Sequence, residues 1–191
     1  MAENYFQNQT FSKLTASPET LPKGEYENCN FNQCNFAESN LSEYKFIDCT
    51  FNECNLSLVK THKTAFRNIQ FQNCKMLGIR FDSCHEFALS FTFHSCVLNH
   101  ASFYKTKLKK TIFTHCELIE CDFAEADLSN AAFNDCNLQH TIFDSTILEH
   151  CDFRTAYNFT INPDENKVRK AKFSLIGAAT LLDKYDIEID Y

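Results

Sequence analysis

The chain has 191 residues, a formal net charge of −7, and only three glycines and three prolines, while 44% of its residues are apolar. That length supports one domain with a core of its own. The acidic balance argues against direct binding to nucleic acid, the scarcity of glycine leaves no phosphate-cradling loop, and no apolar run is long enough to span a membrane.

Segment 1–23 reads as a cap strand over Tyr5–Phe11 and then a loop, because Ser12–Gly24 carries Pro18, Pro22 and Gly24. From Tyr26 an apolar residue returns at every fifth position: Phe31, Phe36, Leu41, Phe46, Phe51, Leu56, Phe66, Phe71, Met76 and Phe81, with Thr61 the weak member. Two extra residues interrupt the count within His85–Ala88. Beyond them Phe and Leu alternate in strict turn, from Phe93, Leu98 and Phe103 to Phe143, Leu148 and Phe153. A period of five is neither the helix period nor the strand period, so the repeating unit is larger than one element. The repeats are placed at 24–161, with the small insertion near 85–88.

Segment 162–191 reads as a C-terminal capping helix and strand. Asn162-Pro163-Asp164-Glu165 is a helix-start pattern, and Val168 and Phe173 are spaced to close a last coil. Ser174 can cap a second helix that is apolar over most of its circumference. Such a helix must bury one side on the last coil and another on something else, which points to a two-fold homodimer through Leu175, Ile176, Ala179, Leu181, Leu182 and Tyr185. Tyr185–Tyr191 alternates apolar and polar residues, as a half-buried strand does.

The eleven cysteines keep the same beat, each two residues before a repeat centre, in places otherwise held by residues such as Ala101, Thr106, Ala126 and Thr146. A position that accepts Cys, Ala and Thr alike selects for small volume. The odd count and the absence of a charged-then-apolar stretch in Met1-Ala2-Glu3-Asn4-Tyr5 argue against a disulfide framework, and a cytoplasmic protein with reduced thiols is expected. Five-residue spacing matches no zinc-binding cysteine pair.

The units Cys34-Asn35-Phe36-Ala37-Glu38, Cys121-Asp122-Phe123-Ala124-Glu125, Ala126-Asp127-Leu128-Ser129-Asn130 and Cys136-Asn137-Leu138-Gln139-His140 resemble pentapeptide repeats. That resemblance covers about four-fifths of the chain. It implies an all-β fold, a right-handed quadrilateral parallel β-helix with four pentapeptides per coil, with the centre and the small residue facing inward. Residues twenty apart then stack, so the Phe columns of the C-terminal half oppose each other and the Leu columns oppose each other.

Function falls to the outward residues. From Glu117 to Phe153 there is no Lys or Arg, while the stretch holds Glu117, Glu120, Asp122, Glu125, Asp127, Asp135, Asp144, Glu149 and Asp152. Local turn bonding accounts for Asp122, Asp127 and Asp152, which precede repeat centres. The remaining acids suggest a partner-binding acidic surface, because a rod bearing carboxylates imitates a duplex bearing phosphates. Gly78-Ile79-Arg80-Phe81-Asp82-Ser83-Cys84 is similar to a stretch of the quinolone-resistance pentapeptide proteins. That resemblance implies a dimeric DNA mimic acting on DNA gyrase or topoisomerase IV, although those proteins carry long loops that this chain lacks. The competing expectation is a rigid interaction scaffold with an unrelated partner. No catalytic set and no cofactor site is legible. The column His100, Glu120, His140 is too widely spaced to converge on one metal ion.

Overall fold

The computed structural model describes residues 4–188. Its strands are short: β1 (Asn4–Gln7), β2 (Thr10–Ser12), β3 (Gly24–Glu27), β4 (Asn30–Asn32), β5 (Lys45–Ile47), β6 (Thr50–Asn52), β7 (Ala65–Arg67), β8 (Ile69–Gln72), β9 (Phe91–His94), β10 (Ile112–Thr114) and β11 (Ala132–Asn134). All pair in parallel, as a four-stranded sheet β1-β3-β5-β7 on one face and a seven-stranded sheet β2-β4-β6-β8-β9-β10-β11 on the next. Isolated bridges continue the other two faces, as in Glu117 with Asn137 and Asp122 with Ile142. The fold is a right-handed quadrilateral parallel β-helix.

Partners lie twenty residues apart, as Phe31 with Phe51, except across the insertion, where Phe71 pairs with Phe93. The register accounts for the core. Phe11, Phe31, Phe51, Phe71, Phe93, Phe113, Phe133, Phe153 and Phe173 form one unbroken column on the second face, with ring centroids 4.7–5.4 Å apart. In the C-terminal half the column Phe103, Phe123, Phe143 faces it, as expected. Rings are parallel within a column, 3° for Phe103 on Phe123, and perpendicular across the core, 85° for Phe113 against Phe123. Burying each such side chain contributes about 1.5–3 kcal/mol.

Each coil turns its corners through left-handed residues two positions after the centres, among them Asn28, Gln33, Glu120 and Glu125. A non-glycine residue there costs about 1–2 kcal/mol. The cost is offset by a hydrogen bond between coils, since each corner N–H donates to the next coil: Asn28 to Ile47 O at 2.9 Å and Glu120 to Gln139 O at 2.9 Å. Gly78 is the one glycine corner, and a Cβ there would lie 2.9 Å from Leu58 Cδ2.

Three expectations are corrected. Residues 12–23 are not a loop but part of a first full coil. Thr15 bridges Asn35, Ala16 N donates to Asn35 O at 2.8 Å, and buried Leu21 joins the core. The prolines sit where the coil turns, at a bend closed by Thr20 Oγ1 donating to Thr15 O at 2.6 Å. Asn162–Glu165 forms a turn rather than a helix, because the coil continues to Val168 and Phe173 and needs Asn166 in its interior. That buried side chain accepts from Thr146 N at 2.9 Å and donates to Phe143 O at 3.0 Å. The described part of the expected strand, Tyr185–Glu188, makes no strand. Tyr185 ends a 3-10 helix (Thr180–Tyr185), Asp186–Glu188 are unpaired, and 189–191 lie outside the described residues.

The expected cap helix is present as α1 (Leu175–Ala179), with Ser174 Oγ accepting from Gly177 N at 3.0 Å. Gly177 lies directly on the Phe159 ring. The insertion is closed by a 3-10 turn at Phe81–Ser83, and Phe91 fills the place that the first face leaves empty, 4.7 Å from the Phe81 ring.

Candidate functional site

The nine carboxylates between Glu117 and Asp152 are distributed around the rod. Asp122, Glu125 and Asp144 stand on the fourth face, Asp127 and Glu149 on the first, Asp135 and Asp152 on the second, and Glu117 and Glu120 on the third. The bridges that fix this order place Ile142 above Asp122, Ile147 above Asp127, and Asn137 above Glu117. No two of the nine stack directly on successive coils, so they form a staggered surface and not a ladder.

Their local bonds divide them. Asp122, Asp127 and Asp152 each accept the backbone N–H two residues on, from Ala124 at 2.9 Å, Ser129 at 3.1 Å and Arg154 at 3.2 Å. This is the turn bonding expected of residues before a repeat centre. Three acids also hold cations: Glu125 with Lys105 at 3.2 Å, Asp127 with Lys109 at 3.1 Å, and Asp152 with Arg154 at 2.7 Å. The Tyr104 hydroxyl, donating at 2.9 Å, and then Lys105 hold the Glu125 carboxyl below its ordinary pKa. Partial burial pushes Asp127 up, but the Ser129 hydroxyl and Lys109 outweigh it and leave it lowered. Arg154 lowers Asp152.

Among the described residues, Glu117, Glu120, Asp122, Asp135, Asp144 and Glu149 pair with no Lys or Arg. Glu117 accepts from Asn137 Nδ2 at 2.9 Å. Glu120 lies 3.2 Å from His100 Nδ1, and Asp135 lies 3.8 Å from His115 Nδ1. His140 approaches Gln139, at 3.4 Å, rather than joining His100 and Glu120. Among the described residues no group of three or more His, Cys, Asp or Glu is arranged to hold a metal ion.

At the C-terminal end the six residues expected at a dimer interface separate. Leu175 and Ile176 are 82% and 70% exposed, and Leu182 and Tyr185 are also exposed. Ala179 is half-buried, and Leu181 packs against the core. Among the described residues no helix is long and apolar enough to cross a membrane.

Two features escape a count in fives. Counted by coils, Cys34, Cys54, Cys74, Cys96, Cys116 and Cys136 form a single column on the third face. All eleven cysteines are free. The small inward position also has a bonding role: its side chain donates to the carbonyl of a repeat centre one coil back. Cys49 donates to Tyr26 O at 3.2 Å, and Cys151 to Leu128 O at 2.8 Å. Thr64, Thr141 and Thr146 make the same bond to Leu41 O, Leu118 O and Phe123 O at 2.6–2.9 Å. Burial pushes the thiols of Cys49, Cys121 and Cys151 up to about 12, so they remain protonated and unreactive at neutral pH. The second feature is a set of open depressions along the corners of the N-terminal half. One of about 360 Å³ is lined mainly by cations.

Comparison with known proteins agrees with this architecture. A family model described as a pentapeptide repeat region matches residues 25–92 and 89–157, the two matches meeting at the insertion. A trypsin-treated form of QnrB1, a plasmid-mediated fluoroquinolone resistance protein, is similar in structure. It has 20% identity over 97% of this chain and 99% of that one, with a TM-score of 0.50. Full-length QnrB1 has 19% identity over 96% and 100%, with a TM-score of 0.48. HetL, a pentapeptide repeat protein of heterocyst differentiation regulation from the cyanobacterium Nostoc, has 14% identity over 89% and 85%, with a TM-score of 0.46. No curated protein sequence matches significantly. With repeat matches over most of its length and the four-sided coil they require, the chain belongs to the pentapeptide-repeat family.

Proposed function

We propose that this protein is a non-enzymatic, cytoplasmic interaction rod. As a homodimer, it offers its acidic C-terminal coils to the DNA-binding surface of a type II topoisomerase, DNA gyrase or topoisomerase IV. The observation that carries this reading is the set Glu117, Glu120, Asp122, Asp135, Asp144 and Glu149, six carboxylates without a Lys or Arg partner among the described residues. Proteins that grip duplex DNA do so with Lys and Arg, and a rigid array of fixed carboxylates suits such a groove. The fold it shares with QnrB1, a plasmid-mediated fluoroquinolone resistance protein, is in keeping with this reading. The exposed Leu175 and Ile176 support a partner copy at the C-terminal end. The free thiols support a reducing compartment.

A second reading is a scaffold for an unrelated partner. The ion pairs at Glu125, Asp127 and Asp152 favour it, because they spend three of the nine acids on neighbours within the rod.

A supercoiling assay with purified gyrase separates the two. The mimic reading predicts inhibition at micromolar protein, abolished by Asp144→Lys with Glu149→Lys while the rod stays folded. No effect with or without a quinolone leaves the scaffold reading. Light scattering at tens of micromolar checks the dimer: a monomer mass refutes it.

A further inference from the structure

Volume alone does not explain where the cysteines stand. The small inward position of the third face is cysteine on six successive coils: Cys34, Cys54, Cys74, Cys96, Cys116 and Cys136. Over the same coils the second face runs Cys29, Cys49, Ile69, Phe91, Thr111 and Ala131 at that position. A requirement for small size would have varied the third face in the same way.

The backbone holds the six in register. Asn55 N donates to Cys34 O at 3.0 Å, Lys75 N to Cys54 O at 2.9 Å, Val97 N to Cys74 O at 2.9 Å, Glu117 N to Cys96 O at 3.0 Å and Asn137 N to Cys116 O at 3.0 Å. The column therefore crosses the insertion, between Cys74 and Cys96, without a break. All six thiols are free and at most 2% exposed. Cys54, Cys74 and Cys96 are aimed alike, each donating to a second-face centre one coil back: Phe31 O at 3.2 Å, Phe51 O at 3.3 Å and Phe71 O at 3.5 Å. Side chains aimed alike keep their sulfurs near the rung spacing of about 4.8 Å.

That spacing decides between two chemistries. A disulfide needs Cβ atoms about 3.5–4.5 Å apart, closer than in-register rungs of about 4.8 Å stand. A metal ion between two sulfurs needs more room. At about 2.3 Å per metal–thiolate bond, as in zinc sites, two bonds in line span about 4.6 Å, close to one rung. Two ligands meet at each gap, so an ion that takes four is not served. This agrees with the lack of any metal-holding group of three or more among the described residues. Two soft sulfurs in line suit a soft monovalent ion, copper(I) or its analogue silver(I).

We propose that the third-face column binds copper(I), each ion held in line between two cysteines of successive coils. Three pairs serve one chain: Cys34 with Cys54, Cys74 with Cys96, and Cys116 with Cys136. No electron moves. One sulfur of each pair releases its proton to solvent and bonds the ion as thiolate. The other bonds through a lone pair and keeps its proton, so the apolar core gains no net charge. Each ion ties two coils together. This site is independent of the acidic coils and of any topoisomerase.

Titration of the folded, fully reduced chain with silver(I) tests it, read by native mass spectrometry and by the ultraviolet band of metal-bound thiolate. Saturation at three ions per chain is expected, with the circular dichroism of the rod unchanged. Cys116→Thr should lower the count to two, and Cys151→Thr, off the column, should leave three. Threonine already fills the small inward position at Thr111 and Thr141, so the coil accepts both variants. Copper(I), supplied without oxygen, should displace the silver ions, and zinc(II) should not. Absence of binding, a count that Cys116→Thr leaves unchanged, or displacement by zinc(II) overturns the proposal. So does a single ion that is lost in Cys84→Ala, since Cys84 is the half-buried cysteine outside the column. A readout on the unmodified sequence guards against misfolded variants: bound silver should raise the thermal unfolding midpoint, and a lowered midpoint means that the ions prefer the unfolded chain and contradicts the site.

Discussion

The two halves of the rod, before and after the insertion, use the same coil for different interiors and different surfaces. Before it, aromatic centres fill the adjacent first and second faces, so their rings meet across one corner, Tyr26 and Phe31 at 59° and Phe46 and Phe51 at 72°, and within the second-face column Phe51 and Phe71 stack at 27°. After it, Phe and Leu alternate around the coil, Phe faces Phe across the core, and stacked rings lie within 3° of parallel from Phe93 to Phe133. Outside, the first half gathers Lys23, Lys45, Lys63 and Arg67 along one corner, while the second carries the acidic run from Glu117 to Asp152. A repeat therefore constrains volume and hydrogen bonding far more tightly than it constrains identity, and two regions of one fold are free to diverge in charge.

The largest expected effect shows what the halves have in common. Phe46→Ala and Phe113→Ala each remove a fully buried ring, and each should cost about 3–5 kcal/mol in chemical unfolding. A clear inequality between them means that stacking, and not burial, dominates. The next prediction separates the halves. Phe113→Leu loses two near-parallel stacks and two perpendicular contacts, whereas Phe46→Leu loses three stacks, on Tyr26, Tyr44 and Phe66, and two edge contacts, with Phe31 and Phe51. Aromatic pairs add about 0.5–1.5 kcal/mol beyond area, so Phe46→Leu, with one more ring contact to lose, should be the costlier swap by about that amount. A smaller effect probes the inward donor. Cys151→Ala should cost about 1 kcal/mol more than Cys151→Thr, which keeps the bond to Leu128 O. Equal costs would return the position to a pure volume requirement.

The smallest effect is on pH dependence. The folded pKa of Asp152 lies below its unfolded value because Arg154 stabilises the carboxylate. Its contribution is therefore complete above the unfolded pKa of about 3.9, and is lost as pH falls from there through the lower folded value. Asp152→Asn should remove less than about 1 kcal/mol at pH 7, and should flatten the acid limb of the stability curve below about pH 4. An unchanged acid limb rules out this pair as a contributor.

Much of this molecule is legible in the five-residue beat, because each inward position is set by one local requirement. Spacing marks the centres from Tyr26 to Phe153, and the four-sided coil implied by the pentapeptide resemblance sets them in columns. What the beat hides are the places where a non-repeat residue performs a repeat's task. Leu21 and Ala16 sit among prolines and still close a coil, since a proline fits a bend that needs no donor. Asn166 replaces a small residue and satisfies Thr146 N and Phe143 O on the preceding coil and Asn162 O in the turn, which overrode the helix-start pattern at Asn162–Glu165. The acids were legible as residues but not as a surface. Their partners Lys105, Lys109 and Tyr104 lie 18 to 21 positions away, a coil apart, and pairing at that separation shows only once the register is known.

The account's central claim is that the acidic coils compete with duplex DNA for a basic groove. Titrating the protein into gyrase bound to fluorescently labelled duplex measures this directly. The account predicts displacement of the duplex, weakened in the Asp144→Lys and Glu149→Lys double variant and by added salt. A duplex that stays bound at saturating protein would contradict it.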